Sequence, residues 1–499
     1  MSQWLVVTSM IVGYLLVTLA IGLRAGKGTS ATVDGYVAGD RNFGLLVMYF
    51  VTGATVFSAF AFLGGPGWAY SRGAAAFYIL SYGVLGIAPW YVMGPKIARI
   101  GRRLRLVTQA QFLTARFPSK TLSILIALVS VVALIPYITL QMKGAGIVIE
   151  AVTEGQVPLW LGSLVSYGIV MIYVLTSGVA AVGWTNTFQG LFMIVIAWAL
   201  GLYLPHALHG GIGPMFTEII DNHPNLLTLP GLASNGNPWS WGGYTSAIII
   251  SAVGLTMWPH IFMKAFTAKN EKIIRQTVVL FPTFQLFLVP VFLIGFAGVM
   301  ALPNVDRPDF ILPELILTVD LPLIVVGLFC AGALSASMST GDALLHATAS
   351  VAVEDGVRPF ATLSEYTQRW MIRVVMVLAG GVAYFFAVSE GQSLVVLLLT
   401  SYGVIAQLAP PVVAALFWGR ATTLGVLCGL IAGAGAALFG FFNPDSIPWG
   451  LHEGVLGLMV HIPVLVAVSL VTKAQSSEHT SRFLDPAPFQ SSISHEGNA

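Results

Sequence analysis

Charge is scarce in this chain: only 9% of its 499 residues are Asp, Glu, Lys or Arg, against roughly 25% in soluble domains. That scarcity excludes an ordinary soluble core. Cysteine is scarcer still, with Cys330 and Cys428 both in apolar stretches, a spacing that fits neither a disulfide framework nor a metal site. A net charge of +2 and no basic run leave no nucleic-acid footprint. The first apolar stretch, Trp4 to Leu23, lacks a basic leader and an A-x-A cleavage site, so it reads as a retained span rather than a removable signal peptide. The polar residues within the apolar runs offer no set of nucleophile, base and orienting group, which speaks against an enzyme.

What the chain has is hydrocarbon. Hydrophobic residues make up 56% of it, and runs of about 20 apolar residues begin near Trp4, Gly44, Ala74, Thr121, Pro158, Trp184, Gly243, Gln276, Pro322, Gln368, Leu394, Ala421 and Pro448. The expectation is an all-α polytopic membrane protein of 13 transmembrane helices. With the N-terminus outside, all of the 23 Lys and Arg except Arg72, Arg307 and Lys143 fall in cytoplasmic loops or the tail, a strong positive-inside bias that puts the C-terminus in the cytoplasm of a plasma (inner) membrane. Lys264 is counted among those loop residues. The longest outer loop, near His206 to Trp241, is rich in Gly, Pro and Asn and reads as a short cap. The tail after Lys473 is polar and reads as disordered.

Polar residues inside the runs carry the chemistry, because hydroxyls and carboxylates at hydrocarbon depth must find partners in other helices or in a bound solute. Ala331 to His346 reads AGALSASMSTGDALLH. At about 100° per residue, Ala336, Ser339 and Thr340 share one helix face, with Ser335, Ser339, Asp342 and His346 in a stripe beside it. The second run, VTGATVFSAFAFLGGPGWAY from Val51, is interrupted by Gly53, Thr55 and Ser58 and is expected to end at Gly64, Gly65, Pro66 and Gly67. The seventh, VGLTMWPHIFMKAF from Val253, carries Gly254 and Pro259, which open the backbone ladder. Two interrupted helices five runs apart point to inverted repeats with a solute and an ion held at the breaks.

The order of the motifs GATVFSAF at Gly53, PYITLQMKGAG at Pro136, AVGWTNTFQG at Ala181, MWPHI at Met257, SMSTGDALLH at Ser337 and APPVVAALFWGRATTLG at Ala409 resembles the sodium/solute symporter family from Trp4 to Lys473. The resemblance implies a leucine-transporter-like 5+5 inverted repeat: a leading helix and loop (1–43), a first five-helix repeat (44–208), an extracellular loop (209–242), a second repeat (243–419), two trailing helices (420–472) and the tail (473–499). It implies a sodium ion held by the carbonyls of Ala54, Phe57 and Ala336 and the hydroxyls of Ser339 and Thr340. Neutral oxygens suit a hard monovalent cation that must also be released. The solute site expected beside it has Thr55, Ser58, Tyr137, Gln141, Met257, Trp258, Tyr402 and Gln407 as candidates.

Two departures matter. Many relatives have an Asp in a T-D-x-x-Q motif where this chain has Thr185, Asn186 and Gln189, which argues against a second sodium. Asp342 stands where many relatives have a hydroxyl residue. With His346 one turn on, three roles are open to it: a structural hydrogen-bonding pair, tuning of the cation, or a proton relay. PYITLQ, MWPH and FLGGPGWAY look most like the bacterial monocarboxylate and pantothenate permeases; proline carriers have aromatic residues where this chain has Ser251 and Leu255. The expected solute is a small organic carboxylate, although no Arg or Lys is expected at mid-membrane to meet it. The alternatives are a sodium/pantothenate symporter, a proton-coupled carrier using Asp342, and a transporter-like sensor. A channel is disfavoured because charge rings and a repeated filter sequence are missing.

Overall fold

The computed structural model describes residues 3–319, 321–389 and 394–484. Among them the chain is all-helical. Eight helices are long and apolar enough to cross a membrane, and two bent pairs, Leu45–Val56 with Phe60–Ile87 and Trp241–Leu255 with Pro259–Thr267, turn by 53° and 47° at their breaks. Leu159–His209 holds two of the expected runs, and its helix is broken between them at Gly178. There φ is 57° and Tyr36 lies where a side chain would be, so a residue with a Cβ would be both strained and crowded. Helix starts are set by short polar side chains: Thr108, Ser119, Ser240, Asn270, Ser364 and Thr422 each accept a backbone N–H of the first turn, which satisfies donors the helix itself cannot.

Burial separates the interior helices from the lipid-facing ones. Every residue from Phe329 to Val351 is buried, so the helix Leu323–Val351 runs through the protein core. The helix Glu365–Val388 instead exposes Val377, Leu378, Phe385 and Phe386, as a lipid-facing surface does. Past Val351 the core helix loosens into a wider turn, Ala352–Val357, and its acids are gripped from three sides. Asp355 Oδ1 accepts from Thr108 (2.7 Å) and its carbonyl from Ser123 (2.9 Å). Glu354 accepts from Gln111 (2.9 Å), Arg358 (2.8 Å) and Gln368.

The first break lies elsewhere than the glycines suggest. Helix Leu45–Val56 stops at Phe57 (φ −97°, ψ 80°), whereas Gly64 to Gly67 stay helical. Gly67 serves close packing: a Cβ there would meet the Pro308 carbonyl oxygen at 2.7 Å. The loop expected outside holds the helix Ile212–Asn222, which buries Met215 and Ile219, and Trp239 packs on Trp68 at 5.7 Å. The tail departs from its expected disorder, since Ser477–Leu484 is a helix that buries Thr480 and Phe483. Phe483 packs on Phe112 at 6.4 Å and Lys96 donates to the Leu484 carbonyl at 3.2 Å; residues 485–499 lie outside the described residues.

Candidate functional site

Breaking a helix frees backbone carbonyls, and the core helix meets the first break with its hydroxyl face. Ser339 Oγ donates to Ala54 O at 3.0 Å; Thr340 Oγ1 reaches Ala54 O at 3.3 Å and Thr55 O at 3.0 Å. Ala54, Phe57, Ala336, Ser339 and Thr340 are all fully buried. Of the five residues expected to hold a cation, Ala54, Ser339 and Thr340 therefore meet at one junction of neutral oxygens, and Phe57 ends the broken helix three residues past Ala54. Ser339 also lies 3.3 Å from Ala336 O on its own helix, so its proton keeps an acceptor when its lone pairs turn towards a cation. Asn186 braces the junction, donating to Ser339 O at 2.6 Å and Thr55 Oγ1 at 3.1 Å.

Beside the second break, aromatic rings cluster around Trp258. Trp258 lies 4.9 Å from Tyr137 and 5.4 Å from Tyr402, and Tyr402 lies 5.6 Å from Tyr82. Gln141 Oε1 accepts the Ala59 N–H at 3.1 Å, which satisfies a donor exposed by the break, and Ser58 Oγ accepts the Phe60 N–H at 3.2 Å. Gln141 Nε2, Trp258 Nε1, Ser251 Oγ and His260 Nδ1 have no protein hydrogen-bond partner among the described residues. Buried polar atoms are seldom left so, and donors of this kind are what a polar solute or ordered water would meet.

Some expected members belong elsewhere. Gln407 donates to Gly403 O and Gly454 O at 3.2 and 3.0 Å and lies 3.3 Å from His461 Nδ1, which ties it to the helix Glu453–Val471 and away from the breaks. Met257 Sδ faces Gln109 Nε2 at 3.8 Å, towards the connecting helix Gln109–Arg116. Thr55 Oγ1 is already engaged, donating to Val51 O and accepting from Asn186 and Lys264. Asp342 and His346 do not pair: Asp342 Oδ2 accepts from Tyr173 (3.0 Å) and Thr185 (3.1 Å), while His346 Nε2 lies 3.0 Å from Tyr36 O. Asp342 Oδ1 has no protein partner among the described residues.

The largest correction concerns Lys264, expected in a cytoplasmic loop. It is buried, 7% exposed, and its ammonium donates to Thr55 Oγ1 at 3.1 Å and His260 O at 3.3 Å. The expectation that no basic residue lies within the membrane region near the site is overturned. Tyr82 and Tyr173 were also missed, since a lone Tyr in an apolar run carries no signal of its own.

A family model described as the Sodium:solute symporter family matches residues 36–433. The chain is 30% identical over 489 residues to the uncharacterized symporter YhjB of Bacillus subtilis, covering 94% of this chain and 97% of that one. It is 28% identical over 464 residues to the sodium/pantothenate symporter of Escherichia coli, covering 91% and 94%. Among solved structures, a Na+-coupled sialic acid symporter in a substrate-bound outward-open state aligns with a TM-score of 0.78 at 18% identity, over 94% of this chain and 98% of that one, which shows a common fold.

Proposed function

The chain belongs to the sodium:solute symporter family, with sodium as its coupling ion, and on that premise we propose that it imports a small monocarboxylate together with sodium by alternating access. It is a multi-pass membrane transporter; in this reading 13 helices form a leading helix, two inverted repeats and two trailing helices, with the N-terminus outside and the C-terminus in the cytoplasm. The observation that carries the reading is the junction of Ser339 and Thr340 with the carbonyls of Ala54 and Thr55. A cation seated there, with Phe57 and Ala336 completing the set, ties the broken helix to the core helix and steadies one arrangement of the two. The solute then occupies the space walled by Tyr137, Gln141, Trp258 and Tyr402, beside Ser58. Because each ligand favours the same arrangement, sodium raises solute affinity and solute raises sodium affinity by the same factor.

Pantothenate is the second solute reading, favoured by the relative whose name states it; pantothenate is itself an organic carboxylate. For Asp342 the reading is structural, since both hydrogen bonds to Oδ2 come from neutral hydroxyls that hold the core helix to Leu159–His209. The test is uptake into liposomes of labelled pyruvate, lactate, pantothenate, proline and glucose, with an inward sodium gradient or with potassium in its place. Sodium-driven entry of the short acids supports the reading. Entry at equal rate in potassium removes the sodium junction from it, and entry of proline or glucose alone removes the short monocarboxylates.

A further inference from the structure

Lys264 sits five residues past Pro259 in the second broken pair, and its surroundings are unusual for an ammonium. Its acceptors, Thr55 Oγ1 and His260 O, are both neutral. Among the described residues no carboxylate comes within 4.0 Å of it. Asp342, the acid that acts on it from the core helix, has its Oδ2 occupied by Tyr173 and Thr185. A cation removed from water without an anion beside it is costly, and a methionine of similar length would fill the same space at no such cost.

The ammonium also borders a small cavity of about 20 Å³, room for about one water molecule. Its lining is otherwise apolar except for His260, His346 and Thr267. His260 is buried and its Nδ1 has no protein partner. No Asp or Glu lines the cavity. The only formal charge in the lining is therefore the ammonium, joined by two imidazoles and the Thr267 hydroxyl, which suits an anion better than a second cation.

Resting on the monocarboxylate reading, we infer that Lys264 is the anion-binding residue of a solute site below the breaks, receiving the carboxylate as the carrier opens to release it. In this structure the ammonium donates to Thr55 Oγ1, and the Thr55 carbonyl belongs to the proposed cation junction. A carboxylate drawing Lys264 away releases that hydroxyl at the moment of solute exit, so departure of the solute and loosening of the cation site are one event. A charge-assisted pair of this kind is roughly twice as strong as a neutral hydrogen bond, so the inference predicts a preference for acids over their uncharged amides.

The experiment is counterflow in liposomes with labelled pyruvate and lactate, inhibited by each acid or by its primary amide, for the parent protein, Lys264→Gln and Lys264→Arg. The parent is expected to favour acid over amide strongly. Lys264→Gln is expected to raise the KM for the acids by about tenfold and to lose most of the preference, and Lys264→Arg to retain it within about fivefold. A preference undiminished in Lys264→Gln overturns the inference while leaving the monocarboxylate reading intact; a parent protein that carries no acid removes both. Thermal unfolding of Lys264→Met guards against misfolding. It should melt no lower than the parent and lose the stabilisation that pyruvate gives, whereas a large fall in melting temperature assigns the lysine to the fold and overturns the inference.

Discussion

Removing the Thr340 hydroxyl is the sharpest test of the cation junction. Thr340 Oγ1 reaches two carbonyls of the broken helix, Ala54 O at 3.3 Å and Thr55 O at 3.0 Å, and the residue is fully buried, so water cannot substitute for the lost oxygen. An interaction between a neutral hydroxyl and an ion contributes about 1.5–3 kcal/mol. At about 1.4 kcal/mol per decade, Thr340→Ala should weaken sodium about 10- to 150-fold. Thr340→Ser keeps the oxygen and should stay within about threefold, since the methyl group contributes packing rather than ligation. Direct binding of radioactive sodium to purified protein, alongside uptake measured over a range of sodium concentrations, gives both numbers. Ser339→Ala should fall in the same range, and the double variant should cost less than the sum because both hydroxyls converge on Ala54 O. A half-saturating sodium concentration for Thr340→Ala within about twofold of the parent, in protein that folds normally, would refute the assignment of this junction to sodium.

Trp258→Phe removes an indole N–H that has no protein partner among the described residues but keeps the ring packed between Tyr137 and Tyr402; it should raise the solute KM by about fivefold with little change in melting temperature, and a melting shift without a KM change would make the indole structural. Gln407→Leu breaks the ties to Gly403 and Gly454 and should lower thermal stability by about 1–3 kcal/mol while leaving the solute KM unchanged, contrary to what a solute ligand would do. Asp342→Asn preserves an acceptor for Tyr173 and Thr185, so uptake should keep its sodium dependence and its pH profile; a flattened profile would make Asp342 a proton relay. Phe483→Asp should free the tail helix from Phe112, which limited proteolysis reads as faster cleavage after Thr472.

The hydroxyl face of the core helix and the existence of two breaks were legible in the sequence because both rest on local facts: Ser339 and Thr340 adjoin on one helical face, and Pro259 cannot donate to the backbone ladder. The location of the first break was not. Gly64, Gly65, Pro66 and Gly67 remain helical, and Phe57, with no breaker residue of its own, departs from helical geometry where tertiary contacts from Gln141 and the core hydroxyls take over its neighbours' backbone groups. Lys264 was misplaced because counting basic residues assigns them to loops, whereas a broken helix holds several residues beyond its proline within the protein. The orientation of Gln407 away from the breaks and the separate partners of Asp342 and His346 depend on how distant helices pack. The docking of Ser477–Leu484 does too, resting on Phe112, more than 300 positions earlier in the chain.

The grip on Glu354 and Asp355 by Thr108, Gln111, Ser123 and Gln368 has a mechanical corollary. A beam clamped at one end by several neighbours makes a poor lever, so in the proposed cycle the strut that presents Ser339 and Thr340 is the stationary jaw of a clasp, and the snapped rod bearing Ala54 and Thr55 is the jaw that swings. In that proposed cycle a sodium ion at the junction works as the pin, and the rod is free to swing once the pin leaves.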